Sequence, residues 1–331
     1  MGNPRPRLLL TGARLRDLRP MGEGRHLRFS VGSGGISARA VAFGCGGRLG
    51  VEPDEPVDAT FRLERNFWNG AVEPRLVLGH ARPCRAEEIE VLGEPHDYLA
   101  GVLDELACDP EEPPPVVART RTVLDHRGHS PLAVLRDARA AGGEVLAVSA
   151  DATRRLAGLG SRTGGFALIS YHALWRDPSV ADGFAQLVAL DPPWSASAGA
   201  LLDAGRGFIH LAWGEPELRF AQQMHELEYG LRASLVALYR SLRLQRRVTG
   251  QELEHLLRGD GPHGRPARLA ARLIKVLAEL ELVSLDRDLL ALAIAGETAT
   301  ALERSAAYRV YAQRYEDGRR FLNSANHLRG G

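Results

Sequence analysis

Only one of the chain's 42 basic residues other than histidine is lysine, Lys275, so its positive charge is almost wholly guanidinium. A guanidinium donates to phosphate through a planar fork, which permits nucleic-acid contact without establishing it. Cysteine is nearly as scarce. Cys45, Cys84 and Cys108 are an odd number at wide spacings with no CxxC pair, which argues against a disulfide framework and against a cysteine-rich zinc site. No apolar run reaches the roughly 18 residues that a membrane span needs. The opening MGNPRPRLLLTG lacks the long apolar core and cleavage site of a signal peptide. The cytoplasm is the expected location, and no membrane partner is expected. Three motifs are also missing: GxxxxGK followed by Ser or Thr, GxGxxG after the first strand of the α/β region, and HExxH.

What is present is a folded, multidomain chain. Its 331 residues suffice for two or three domains, and a hydrophobic content of 44% argues against disorder. The formal net charge of +1 conceals a polarity. Met1 to Arg85 holds 14 arginines against 8 acidic residues, whereas Ala86 to Ser130 holds 3 arginines against 11. A basic first domain followed by an acidic connector suits a protein with one nucleic-acid face.

The first region reads as five strands, near Leu8–Leu18, Arg25–Val31, Ile36–Phe43, Val57–Arg65 and Val72–His80. In the second of these, Leu27, Phe29 and Val31 share one face while His26, Arg28 and Ser30 share the other. Asn69-Gly70 is a hairpin signal, because both residues tolerate positive φ. Five such strands fit a small closed barrel, which also removes exposed sheet edges.

After the segment DPEEPP, strands alternate with helices. Strands are expected at Arg121–Asp125, Glu144–Ser149, Phe166–Ser170, Leu187–Leu190 and Gly207–Ala212, with helices at Pro131–Ala141 and Ala152–Leu159. Valine- and leucine-rich strands separated by helices imply a parallel sheet covered on both faces. Asp125, His126, Asp151, His172 and Asp191 would then lie at the carboxyl ends of strands, where ligands often bind. The third region starts with a helical stretch from Glu217 to about Arg247, with Leu227, Leu231, Leu235, Leu238 and Leu242 on one apolar face. Thr249 and Glu252 have capping-box spacing, and Pro266 opens a further helix. Leu282–Ile294 supplies two strands of a wing. The fold class expected is therefore an N-terminal five-stranded barrel, a central α/β parallel-sheet domain and a C-terminal helical, winged-helix-like module. The boundaries are 1–85, an acidic proline-containing connector over 86–115, 116–215 and 216–331.

Several constellations compete for function. Asp125-His126-Arg127-Gly128-His129 offers metal-ligand residue types, but no partner carboxylates can be placed beside them. LVALDPP resembles a strand ending in a Mg²⁺-holding aspartate, Asp191, yet without a phosphate cradle a strand-end turn is the simpler reading. A DNA-reading wing module would need Arg268, Arg272 and Lys275 exposed on its last helix; its leucines read first as core. Single-strand binding needs cations for phosphates and flat side chains for bases. The barrel region supplies Arg25, Arg28, Arg39, Arg62, Arg65 and Arg75, with Phe67 and Trp68 beside the Asn-Gly turn. Arg28 and Arg39, on polar phases of neighbouring strands, are the better phosphate candidates, while Trp68 either stacks a base or plugs the barrel end.

At GRHLRFSV, ARAVAF, VDATFRLERNFWNG and LVLGHARP the chain resembles the oligonucleotide-binding domain of the RecJ single-strand-specific exonucleases, from about Leu8 to Pro83. VALDPP, the helical stretch after Phe220, VLAELELVSLD and LERSAAYRVYAQRYEDGRRFL look like the additional C-terminal region of some members. The resemblance implies single-stranded DNA binding through Arg25, His26, Arg28, Arg65 and Trp68. It also implies Mn²⁺ or Mg²⁺ for a catalytic core carrying an Asp-His-His motif, which this sequence does not contain, so no catalytic residue and no metal ligand is assigned here. On this reading the chain is a fragment, a split subunit beside a separate catalytic chain, or a stand-alone binding protein. Two alternatives stay open: an accessory, protein-interacting subunit in DNA repair, and a cryptic metal-dependent nuclease or nucleotidase.

Overall fold

The computed structural model describes residues 7–33, 36–68, 71–84, 88–111, 115, 121–159, 163–260, 263–298 and 300–324, with the backbone alone at 11, 67, 68 and 71. Contacts divide the chain into two compact units, Met1–Glu90 with Thr153–Phe166, and Val91–Ala152 with Ala167–Gly331.

The first unit holds a closed five-stranded barrel. Its strands are β1 (Arg7–Met21), β2 (His26–Ser33), β3 (Ile36–Ala42), β4 (Pro56–Trp68) and β5 (Ala71–Pro83), in the order β1-β2-β3-β5-β4. All neighbours are antiparallel except β3 and β5, and β4 closes on β1 through pairs such as Leu8 with Phe61. Alternation places Leu27, Phe29 and Val31 inward with Ala13, Leu15, Val57, Ala59 and Phe61, as the period of two predicts. The β1–β2 turn runs through Gly22, Glu23 and Gly24 at φ of 55°, 59° and 81°, where glycine carries no Cβ penalty. β4 and β5 pair as far as Trp68 opposite Ala71; the Asn69-Gly70 hairpin signal between them lies outside the described residues.

β1 carries a bulge. Arg16 pairs with Ser30 and Arg19 with Arg28, so three steps along β1 span only two along β2. Asp17, at φ 55°, is where the backbone departs from the strand.

A second sheet contains β6 (Ile89–Leu92), β7 (Arg121–Asp125), β8 (Val145–Ser149), β9 (Phe166–Ser170), β10 (Gln186–Ala189) and β11 (Gly207–Leu211). Its order is β6-β9-β8-β10-β11-β7, and the five strands from β9 to β7 run parallel. Every residue of β8, β9 and β10 is buried, as strands covered on both faces must be. The helices α1 (Tyr98–Leu106), α2 (Pro131–Ala140), α3 (Ala152–Leu159), α4 (Tyr171–Arg176) and α5 (Ala196–Ala200) fall before and between these strands. The stretch read as an acidic connector thus holds β6 and α1. Gly207 is obligatory: its φ is 120°, and a Cβ there would lie 2.1 Å from the carbonyl oxygen of Ala185.

The C-terminal part comprises α6 (Glu215–Tyr229), α7 (Leu231–Gln245), β12 (Arg247–Thr249), α8 (Gly250–Arg258), α9 (Ala267–Glu279), β13 (Val283–Asp286), β14 (Ala291–Ile294) and α10 (Ala306–Ser324). The three short strands form one sheet, β12-β14-β13, giving the helix, strand, two helices and hairpin of a winged-helix arrangement. The long helix expected from Glu217 to Arg247 is broken at Gly230, where a Cβ would crowd the carbonyl oxygen of Glu226 at 2.6 Å. Leu231, Leu235, Leu238 and Leu242 fill one core together with Val102 and Leu106 of α1 and the apolar face of α9. Thr249 caps α8 without a side-chain hydrogen bond, so the capping box does not form.

The charges on α9 face inward. Arg268 donates to Glu228 at 2.6 Å and also pairs with Asp151 at 3.4 Å. Arg272 donates to the Glu228 carbonyl at 3.0 Å and stacks its guanidinium over Tyr229. Lys275 donates to the carbonyl of Cys108 at 2.7 Å. A DNA-reading α9 is therefore overturned, because the three cations it would need are consumed in internal bonds.

Burial alone would push the Glu228 carboxyl up, but Arg268 and Arg272 beside it hold it down, to about 2. Between the ordinary carboxylate value of 4.5 and about 2, the unfolded chain takes up a proton that the folded chain refuses. This contribution to stability is complete above that window and is lost as pH falls through it. Glu228→Gln should lower stability at neutral pH by about 3–5 kcal/mol, since it takes the carboxylate from two buried guanidiniums and leaves Arg268 only Asp151 and Glu94. It should also flatten the acid-side decline, which urea unfolding at a series of pH values will read.

Candidate nucleic-acid interface

The outer face of β1, β2 and β3 gathers the basic residues. Arg28 lies between Arg19 of β1 and Val41 of β3, and Ser30 lies between Arg16 and Arg39. Directly paired residues share a face, so Arg16, Arg19, Arg28 and Arg39 form two adjacent rows, all exposed. The bulge is what makes this possible. Positions 16 and 19 would point to opposite faces of a regular strand, and the extra residue returns both to the exterior.

These cations are not equivalent. Arg16 is held by Asp54 at 2.5 Å, and Arg14 donates to the Asp54 carbonyl. Arg19, Arg28 and Arg39 form no ion pair among the described residues. Solvent and salt alone screen their mutual repulsion, so a phosphate chain laid along the face would gain from all three. Arg25 sits in the β1–β2 turn, donating to the carbonyl of Gly22 at 3.3 Å and lying 3.8 Å from Glu23.

A flat group lies at one end of this face. Phe43, just past β3, is 48% exposed. Its ring meets that of His26 edge-on at 5.3 Å, and the Arg75 guanidinium lies 5.4 Å from its centroid. His26 is fixed in turn by accepting the backbone N–H of Gly44 at 2.9 Å. Arg75 also donates to Asn66 at 3.0 Å and to Glu64 at 3.5 Å, so much of its charge is answered within the barrel. The structure thus brings His26 and Arg75 onto one aromatic group, with Arg28 and Arg39 on the same exposed face, while Arg65 stands exposed on β4 opposite Pro74. Arg62 is 3.9 Å from Glu64. The side chains of Phe67 and Trp68 lie outside the described residues. Sequence reasoning passed over Phe43 and Arg19, the one beside a glycine-rich loop and the other beyond a bulge.

The competing constellations are committed elsewhere. Asp125 is bound twice by Arg127, at 2.9 and 2.6 Å, and these bonds hold its carboxyl down to about 2. His126 stacks on His210 at 5.3 Å, and burial of His210, with His126 beside it, lowers the latter's basicity. Asp191 is wholly buried, accepts the Ala150 N–H at 3.0 Å and receives the Tyr171 hydroxyl on its carbonyl at 2.8 Å. That makes it a strand-end clamp. Among the described residues no group of three or more His, Cys, Asp or Glu is placed to hold a metal, and no helix is long and apolar enough to cross a membrane.

Comparison with known proteins bears on the barrel. No curated protein matches the chain. Among the solved structures that match are RecJ in complex with Mg²⁺ from Thermus thermophilus, 19% identical over 97% of this chain and 33% of that one, TM-score 0.25, and RecJ in complex with Mn²⁺ from the same organism, 19% identical over 96% and 31%, TM-score 0.25. The chain spans about a third of the length of these proteins. Residues 1–80 match the family described as the RecJ OB domain, and it is this domain that the N-terminal barrel is similar to.

Proposed function

We propose that this chain is the single-stranded DNA-binding and substrate-positioning portion of a RecJ-like 5′-to-3′ exonuclease, without catalysis of its own. The observation that carries the reading is the group Arg19, Arg28 and Arg39, without ion pairs among the described residues, beside exposed Phe43 on the face of a barrel that matches the RecJ OB domain. Strand 2 and strand 3 faces of such barrels are where oligonucleotides lie. The guanidiniums hold the phosphates, Phe43 stacks a base, and His26 with Arg75 keeps that ring upright. Arg25 and Arg65 extend the positive field at the turn and on β4. The cutting centre, with its Mn²⁺ or Mg²⁺, belongs to a separate catalytic chain or to further sequence, and the 116–215 and 216–331 segments serve as a scaffold for partners in DNA repair.

Affinity for a short single strand, measured against salt, tests this. Arg28→Ala with Arg39→Ala should weaken binding and reduce the slope of log K against log salt by roughly 0.7 for each phosphate no longer neutralised. Unchanged affinity and slope would remove the DNA face from β2 and β3.

Phe43→Ala should cost about 1–3 kcal/mol of binding while leaving the salt slope as it was, because stacking releases no counterions. The rigorously purified chain, given Mn²⁺ or Mg²⁺, should leave a labelled single strand intact; metal-dependent degradation would favour the nuclease reading instead.

A further inference from the structure

The parallel sheet and the C-terminal helices enclose a cavity of about 230 Å³ that the barrel reading leaves unused. It lies within the second unit. β9 and β10 stand on opposite sides of β8, so successive crossovers diverge there, and the carboxyl ends of such strands are where open α/β sheets hold ligands. His172 and Trp175 follow β9 into this cavity, Trp194 and Ser195 follow β10, and Arg272, Tyr311 and Arg314 come from α9 and α10.

Three features of the lining define what fits. Trp175 and Trp194 stack on one another, centroids 6.4 Å apart and planes 28° from parallel, and both are half-buried. Such a pair presents a flat surface to a third ring. Arg176 and Arg314 form no ion pair with a carboxylate among the described residues, although the charge of Arg176 is felt at Glu105: one donates to the Cys108 thiol and the other, at 2.6 Å, to the Pro110 carbonyl. Both have donors to spare. Glu105, Asp109 and Asp317 also line the cavity. Their charge repels a polyanion; Glu105 is bound to His172 at 2.7 Å, which leaves the carboxylates of Asp109 and Asp317 to accept from ring N–H and amino groups. The floor is rigid, since Arg272 is clamped between Glu228 and the rings of Tyr229 and Tyr311.

We propose that this cavity binds a single nucleotide, with its base stacked on the Trp175–Trp194 pair and its one phosphate held by Arg176 and Arg314. A purely apolar ligand would strand both guanidiniums, and a pyrophosphate would meet three carboxylates. One flat, donor-bearing ring with one anionic group answers the tryptophan pair, the two guanidiniums and the carboxylates of Asp109 and Asp317. This inference does not rest on the DNA-binding reading of the barrel.

The full chain is titrated with 2′-deoxyadenosine 5′-monophosphate, followed by calorimetry and by tryptophan fluorescence. Saturable binding of one equivalent with quenching is expected. Arg176→Ala with Arg314→Ala should weaken it roughly tenfold or more, as should removal of the phosphate (deoxyadenosine) or of the base (inorganic phosphate). Arg28→Ala with Arg39→Ala should leave it unchanged. Trp194→Phe, which keeps an aromatic face, should retain calorimetric binding while losing much of the quench, and so separates a changed stacking surface from a misfolded chain. Using the barrel double variant, displacement of the mononucleotide by a 5′-phosphorylated oligonucleotide, and not by its unphosphorylated form, would assign the pocket to a strand terminus; displacement by neither would assign it to free nucleotides. Absence of saturable binding to the unaltered chain would overturn the proposal. So would binding that survives the Arg176 and Arg314 substitutions but is lost with those at Arg28 and Arg39.

Discussion

Five strands close on themselves only when alternate side chains turn inward, and the interior they enclose here is filled by Ala13, Leu15, Leu27, Phe29, Val31 and Phe61. That packing decides the exterior as well. Once the apolar phase of β2 is fixed in the core, Arg28 has nowhere to go but out, and pairing with β1 and β3 brings Arg19 and Arg39 beside it. The basic face is in this sense a by-product of burial. Arg19, Arg28 and Arg39 owe their position to the apolar residues beneath them, whereas Arg16 is also held by Asp54.

The C-terminal half is organised differently. The cations of α9 are internal, and Glu228 joins Arg268 and Arg272 while Asp151 and Glu94 approach Arg268 from the ends of strands β8 and β6. Buried charges of this kind are costly to desolvate, so they add specificity of arrangement more surely than net stability. The outcome is a winged-helix arrangement whose last helix is structural: α9 ties α6 and the sheet together and leaves no basic surface on itself to read a groove. The same helix supplies the floor of the cavity beside Trp175 and Trp194.

Much of this was legible in the sequence. Alternation located all five barrel strands to within a few residues, and the apolar runs marked β7 to β11, because both signals depend only on which face is buried. The rest depended on partners far along the chain. α1 is short and acidic and reads as connector until Val102 and Leu106 find the α9 core. Arg268 and Arg272 look like an exposed basic stripe, since nothing local reveals that Glu228, forty positions away, will meet them. Phe43 escaped notice because its neighbours Gly44 and Cys45 carry no periodic signal; what marks it out is its contacts with His26 and Arg75, contributed by different strands.

The bulge at Asp17 has a consequence for how this surface tolerates change. Most substitutions on an exposed strand alter one side chain and leave the others where they were. Removing one residue between Arg16 and Arg19 would restore regular alternation to β1 and force one of those two guanidiniums toward the apolar interior. Length, more than residue identity, is therefore what this stretch must conserve: a variant with every arginine intact but one residue fewer would keep its charge and lose the surface that displays it.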